Sequence, residues 1–113
     1  MNILVTGAAG FIGYHISKKL LSSNNKIIGI DNIDKYYDIK IKKNRIKKLK
    51  NNDKFIFYKV DLLNYNKLNF IIKKYKINYI LHLAAQAGVR YSIERPDIYF
   101  KSISFCVVTA LAV

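Results

Sequence analysis

Apolar positions along this chain follow two alternating rhythms. Asn2-Ile3-Leu4-Val5-Thr6 is a short apolar run that ends at a glycine-rich turn, which predicts a buried strand. From Phe11 to about Ser23, Ile12, Ile16, Leu20 and Leu21 recur at helical spacing, and Ser22-Ser23-Asn24-Asn25 stops the helix. Lys26–Asp31 predicts a second strand, rich in isoleucine and closed by a carboxylate. In the basic run Lys35–Lys50, Ile39, Ile46 and Leu49 make one face apolar, which predicts a helix whose lysines turn to water. Phe55–Val60 reads as a third strand ending at Asp61, and Asn64–Lys76 as a helix through Leu68, Ile71, Ile72 and Tyr75. Asn78–Ala84 reads as a fourth strand. Pro96 suits the first turn of a last helix. Strands alternating with helices predict parallel pairing through right-handed crossovers: an α/β, doubly wound sheet of order 3-2-1-4 with helices on both faces.

Composition narrows the class without changing that architecture. The 113 residues allow one domain, and a hydrophobic fraction of 51% excludes a disordered chain. The longest apolar tail, Ile103–Val113, falls short of the roughly 20 residues a membrane helix needs, so no membrane partner is expected. The amino terminus lacks the cationic start of a secretory signal, and Cys106 is the lone cysteine, so a reducing, cytoplasmic setting is expected. Twenty Lys and Arg against seven Asp and Glu give a net charge of +13, which raises nucleic acid as a partner. The excess is lysine in a chain also rich in Ile and Asn, all residues of A- and T-rich codons. Codon composition therefore explains the charge better than a polyanion does, and a solvated helix face is the expectation.

The chemistry concentrates between the first strand and first helix, where Gly7-Ala8-Ala9-Gly10-Phe11-Ile12-Gly13 spaces three glycines as G-x-x-G-x-x-G. The first permits a tight turn, the second lets backbone N–H groups approach a pyrophosphate, and the third allows close helix packing. Unpaired N–H groups and the helix dipole favour negative charge at that point. Three glycines alone can serve only a turn; here an acidic residue, Asp31, closes the next strand. A carboxylate there accepts from adenosine ribose hydroxyls and repels a 2′-phosphate, which favours NAD over NADP. Asp61 is placed either to meet the adenine or to hold a turn. The strand order reverses between strands one and four, so the crevice has two lips, Gly7–Gly13 and Leu83-Ala84-Ala85-Gln86-Ala87-Gly88.

Thr6–Gly13, Gly29-Ile30-Asp31-Asn32, Tyr36-Tyr37-Asp38, Val60-Asp61-Leu62 and the string from His82 to Ser92 together resemble the extended short-chain dehydrogenase/reductase superfamily. Within it they look most like the UDP-glucuronate 4-epimerase group of NAD-dependent nucleotide-sugar epimerases, over about residues 1–100. The resemblance implies a Rossmann-like domain in which NAD takes a hydride from sugar C4 and returns it to the other face. By the same resemblance Gly7, Gly10, Phe11, Ile12 and Gly13 match pyrophosphate positions, Asp31 and Asn32 the adenosine side, and Asp61 and Leu62 the adenine pocket. Leu83, Ala84, Ala85 and Gln86 match the cofactor wall, and Arg90 a position toward the anionic part of a UDP-sugar.

The family's acid–base pair, Tyr-x-x-x-Lys on a later helix, has no counterpart in the expected place. Tyr14 with Lys18 and Tyr36 with Lys40 have the spacing, yet the first lies in the glycine-loop helix and the second on the adenosine side. No catalytic residue is assigned, and His15 and His82 are too isolated for a metal site. After about residue 102 the resemblance is lost, as in the N-terminal part of a single NAD(P)-binding domain whose substrate domain is absent. Such a half-domain leaves strand four as an edge, and marginal stability and aggregation are expected. A dimer is expected only of a full-length chain. The alternatives are a 4,6-dehydratase or another nucleotide-sugar enzyme, a non-enzymatic nucleotide-binding module, and a nucleic-acid-binding module.

Overall fold

The computed structural model describes residues 1–33 and 39–84. Its elements are β1 (Asn2–Thr6), α1 (Phe11–Ser22), β2 (Lys26–Asp31), α2 (Ile39–Leu49), β3 (Phe55–Lys59), α3 (Tyr65–Lys74) and β4 (Tyr79–His82). The strands form one parallel sheet of order β3-β2-β1-β4, the doubly wound order the sequence predicts. In register, Thr6 lies opposite Ile30 on one side and His82 on the other, so the carboxyl ends of β1, β2 and β4 meet along one rim.

Covering both faces explains why the interiors of the central strands, Ile3-Leu4-Val5 and Ile27-Ile28-Gly29-Ile30, are apolar in succession rather than alternately. Ile3, Val5 and Ile27 pack with Leu21 of α1 and with Ile46 and Leu49 of α2. Leu4, Ile28 and Ile30 pack on the opposite face with Leu68 and Ile71 of α3. Full burial of each such side chain contributes about 1.5–3 kcal/mol, which fixes the sheet that carries the loop.

Most differences from the sequence reading lie at element ends, and each has a local cause. Asn64 is the cap of α3 rather than its first residue, its Oδ1 accepting from the Lys67 N–H at 3.2 Å. That helix closes at Lys74 because Lys76 takes a left-handed φ of 49°. β4 is shorter than Asn78–Ala84: Asn78 exchanges two 2.8 Å bonds with Asn2, and the Leu83 and Ala84 amides turn toward Thr6.

The substantive correction is in α2. Its lysines do not all turn to water: Lys42 is 6% exposed. It stands one turn before Ile46 on the inward face, where the carboxylate of Asp31 makes burial tolerable. The Pro96 helix, Cys106 and the Tyr36-Tyr37 pair lie outside the described residues. Among the described residues no helix is long and apolar enough to cross a membrane.

Candidate nucleotide-binding site

β1 delivers the chain to the rim, where Gly7 turns it with φ of 72°. The Gly7 and Ala8 amides both donate to the Ile30 carbonyl, at 2.9 and 3.2 Å, and the Gly10 amide donates to Gly7 O at 3.0 Å. Ala9 N–H donates to Asp31 Oδ2 at 3.1 Å. The loop's own bonds stop there. The amides of Phe11, Ile12 and Gly13, the first three of α1, find no acceptor among the described residues, and Gly10 at the cap offers no side chain. The first turn holds no acidic residue either, so no side chain of that turn compensates its partial positive charge.

Glycine is required at two of these positions by space as well as conformation. A Cβ on Gly13 would overlap the carbonyl oxygen of Gly7 and stand 2.8 Å from its carbonyl carbon. A Cβ on Gly7 would meet Leu83 C, Leu83 O and Ala84 N at 2.8 Å each. The third glycine therefore seats α1 on the loop itself, and the first seats the loop on the end of β4.

Asp31 at the end of β2 is buried beside this loop. Its Oδ1 accepts the Ile33 N–H at 2.8 Å, and Lys42 Nζ lies 3.6 Å from the same oxygen. Ile33 takes a φ of 54°, which a β-branched residue adopts only under constraint; the short Asp31 bond and packing against the α1–α2 cluster supply it. Arg45, one turn after Lys42, donates through Nη1 to Ala9 O at 3.1 Å, and its guanidinium sits 5.9 Å from the Phe11 ring. α2 thus sends two cations inward to the glycine loop and its carboxylate. Sequence reasoning missed both. The signal available for Lys42 was its spacing, since 39, 42, 46 and 49 fall on one helical face.

On the other lip, Thr6 Oγ1 accepts from the Leu83 amide at 3.0 Å and the Ala84 amide at 3.1 Å. The same oxygen lies 2.6 Å from His82 Nδ1. Burial lowers the His82 pKa, and a backbone hydrogen bond with Ala84 opposes that shift. Thr6 and His82 are the other positions at this rim that the glycine pattern did not flag.

The remaining expected positions are placed as follows. Asn32 is exposed next to Asp31. Asp61 is exposed at the end of β3 and accepts the Leu63 N–H at 2.9 Å, so it holds a turn there. Leu62 packs against the α3-side cluster. Gly7, Gly10, Phe11, Ile12, Gly13, Asp31, Leu83 and Ala84 converge on one rim. Ala85, Gln86 and Arg90 lie outside the described residues.

The family model described as GDP-mannose 4,6 dehydratase matches residues 4–113, so the match continues past residue 102, where the sequence alone suggested that resemblance ends. The chain is 42% identical over 99 residues to a UDP-glucuronate 4-epimerase of Thermodesulfobacterium geofontis, covering 88% of this chain and 31% of that protein. Protein CapI of Staphylococcus aureus is 45% identical over 102 residues, covering 90% of this chain and 30% of CapI. Among solved structures, the UDP-glucuronic acid 4-epimerase of Bacillus cereus, in complex with UDP-glucuronic acid and NAD, aligns with a TM-score of 0.73 at 41% identity. That alignment covers 81% of this chain and 29% of the epimerase. The chain therefore spans about a third of the length of the relatives it matches.

Proposed function

Because this chain belongs to the family described as GDP-mannose 4,6 dehydratase, we propose that it is the NAD-binding part of a nucleotide-sugar epimerase of the UDP-glucuronate 4-epimerase kind. The observation that carries the reading is the row of three amides at Phe11, Ile12 and Gly13, with no acceptor among the described residues, beside a buried carboxylate at the end of the next strand. Such amides stabilise a diphosphate through hydrogen bonds and the helix dipole together. The similarity to an epimerase solved with NAD and UDP-glucuronic acid supports NAD and a UDP-sugar as the ligands.

In this reading Gly7, Gly10, Phe11, Ile12 and Gly13 hold the pyrophosphate, and Asp31 with Asn32 receives the adenosine ribose. Asp61 and Leu62 border the adenine. Leu83, Ala84, Ala85 and Gln86 line the cofactor's path, and Arg90 meets an anionic group of the sugar nucleotide. When bound, NAD supplies hydride acceptance and return at sugar C4. The residues of this chain bind and orient it; none is assigned a proton-transfer role, so the 113 residues alone are expected to leave UDP-glucuronate unchanged. A 4,6-dehydratase differs in steps performed after the same hydride removal, and the cofactor half would serve both. The lone Cys106 fits a reducing cytoplasmic location.

Amide NMR of the isotope-labelled chain during NAD titration tests the reading. Saturable shifts at Phe11, Ile12, Gly13 and Ala9 are expected. Shifts confined to the lysines of α2, or none in a folded sample, contradict it.

A further inference from the structure

The polar cluster joining β1 to β4 has a hydrogen count that favours one arrangement. A threonine hydroxyl has one proton to donate and two lone pairs with which to accept. Thr6 Oγ1 accepts from two backbone amides, Leu83 and Ala84, and the Leu83 amide is also within 3.2 Å of Thr6 O. With both lone pairs engaged, the hydroxyl proton is left for His82 Nδ1, 2.6 Å away. In that arrangement Nδ1 is the acceptor, and a neutral ring carries its proton on Nε2.

We propose that His82 is a positioning residue for the cofactor wall: as a neutral acceptor it aims the Thr6 hydroxyl so that its lone pairs hold the Leu83 and Ala84 amides. The inference deepens the proposed function and rests on it, because Leu83 and Ala84 matter as the lip of the NAD crevice. Protonation puts a hydrogen on Nδ1, so the ring and the hydroxyl compete as donors. Thr6 must then turn its proton away and surrender a lone pair, and the turn at Leu83 and Ala84 loosens.

Among the described residues few ionisable groups face this ring, and the backbone hydrogen bond with Ala84 is the influence that favours its charged form. β1 carries no ionisable side chain over Asn2–Thr6. On the α3 face the cluster reaching Ile80 contains Tyr75, which is bonded to Tyr58 and neutral below about 12. On the α1 face, where Leu81 and Leu83 pack, the titratable member is Tyr14. Among the described residues no carboxylate or cation forms an ion pair with the ring.

The test uses the full 113-residue chain between about pH 5 and pH 8, the range in which imidazole titrates. Ring nitrogen shifts at the upper end should report the Nε2–H tautomer of His82, and the Leu83 and Ala84 amide signals should move with the ring's titration. NAD affinity should fall about fivefold to tenfold from the upper to the lower end, the scale of one compromised buried hydrogen bond. In His82→Asn the amide oxygen accepts from Thr6 without titrating. Its profile should be flat, with tighter binding than His82→Leu. An Nδ1–H tautomer, amides indifferent to the ring's titration, or matching pH profiles for wild type and His82→Asn would overturn the proposal. If a folded chain binds no NAD at any pH, the proposed function fails, and the tautomer and amide shifts alone decide the role of His82.

Discussion

Lys42 and Asp31 form a buried ion pair, Nζ to Oδ1 at 3.6 Å, that ties α2 to the carboxyl end of β2. Two backbone amides, Ala9 and Ile33, hold the same carboxylate. Asp31 therefore organises the loop before any ligand arrives, with its charge compensated from within the fold. A ribose hydroxyl would join an existing network rather than meet a bare carboxylate.

Lys42→Met keeps the aliphatic volume and leaves the Asp31 charge buried without its cation. Breaking such a pair from one side costs about 3–5 kcal/mol in a dry interior; the two amides that remain on Asp31 bring the expected loss below that range, to about 2–3 kcal/mol. Lys43→Met, on the exposed side of the same helix, should stay within about 0.5 kcal/mol of wild type. Urea denaturation of the two variants separates these outcomes, and equal stabilities would contradict the inward placement of Lys42.

Gly13→Ala and Gly10→Ala should fail in different ways. The first sets a methyl group against the Gly7 carbonyl and forces α1 off the loop, with an expected loss of about 1–3 kcal/mol. In the second the added Cβ meets only Gly7 O, at 3.2 Å, and a small relaxation absorbs it. Thermal melts should show the larger drop for Gly13→Ala, whereas Gly10→Ala should lose NAD affinity with little change in melting.

Thr6→Val removes the oxygen that both the Leu83 and Ala84 amides use, at nearly constant volume. A loss of about 1–3 kcal/mol is expected from the unsatisfied amides, and Thr6→Ser should recover most of it. Chemical denaturation of the two variants makes the comparison; a neutral Thr6→Val would mean those amides are satisfied without the hydroxyl.

The pair Tyr58 and Tyr75 gives a prediction in base. Their hydroxyls are 2.6 Å apart, and the bond to Tyr58, followed by burial, raises the Tyr75 pKa to about 12. The folded state holds that proton more tightly than the unfolded chain, whose tyrosines ionise near 10. The stabilisation is thus fully present below about pH 10 and is lost as pH rises from there toward 12. Ultraviolet titration should find the late-ionising tyrosine in wild type and return it toward 10 in Tyr58→Phe. An unchanged titration curve would contradict the bond.

The sheet was legible because its central strands are apolar at successive positions, as strands covered on both faces must be, and because each ends at a polar or glycine stop. The glycine loop was legible from three residues and a carboxylate at the expected distance. Lys42 and Arg45 were not, because a lysine-rich helix read by its isoleucines alone assigns every cation to solvent. Position 42 shares a face with Ile39 and Ile46, and a cation there calls for a buried acid. The link from Thr6 to His82 joins residues 76 apart and is visible only once β1 and β4 pair. The left-handed Ile33 had no signal at all, since nothing in an isoleucine suggests positive φ.

Calorimetric titration of NAD into the folded chain is the most direct measurement of the central claim, with Asp31→Ala and its circular dichroism spectrum alongside. One saturable site is predicted, weakened about tenfold or more in an Asp31→Ala protein that retains its secondary structure. A folded wild type that takes up no NAD, or that binds it no better than Asp31→Ala does, would contradict the account.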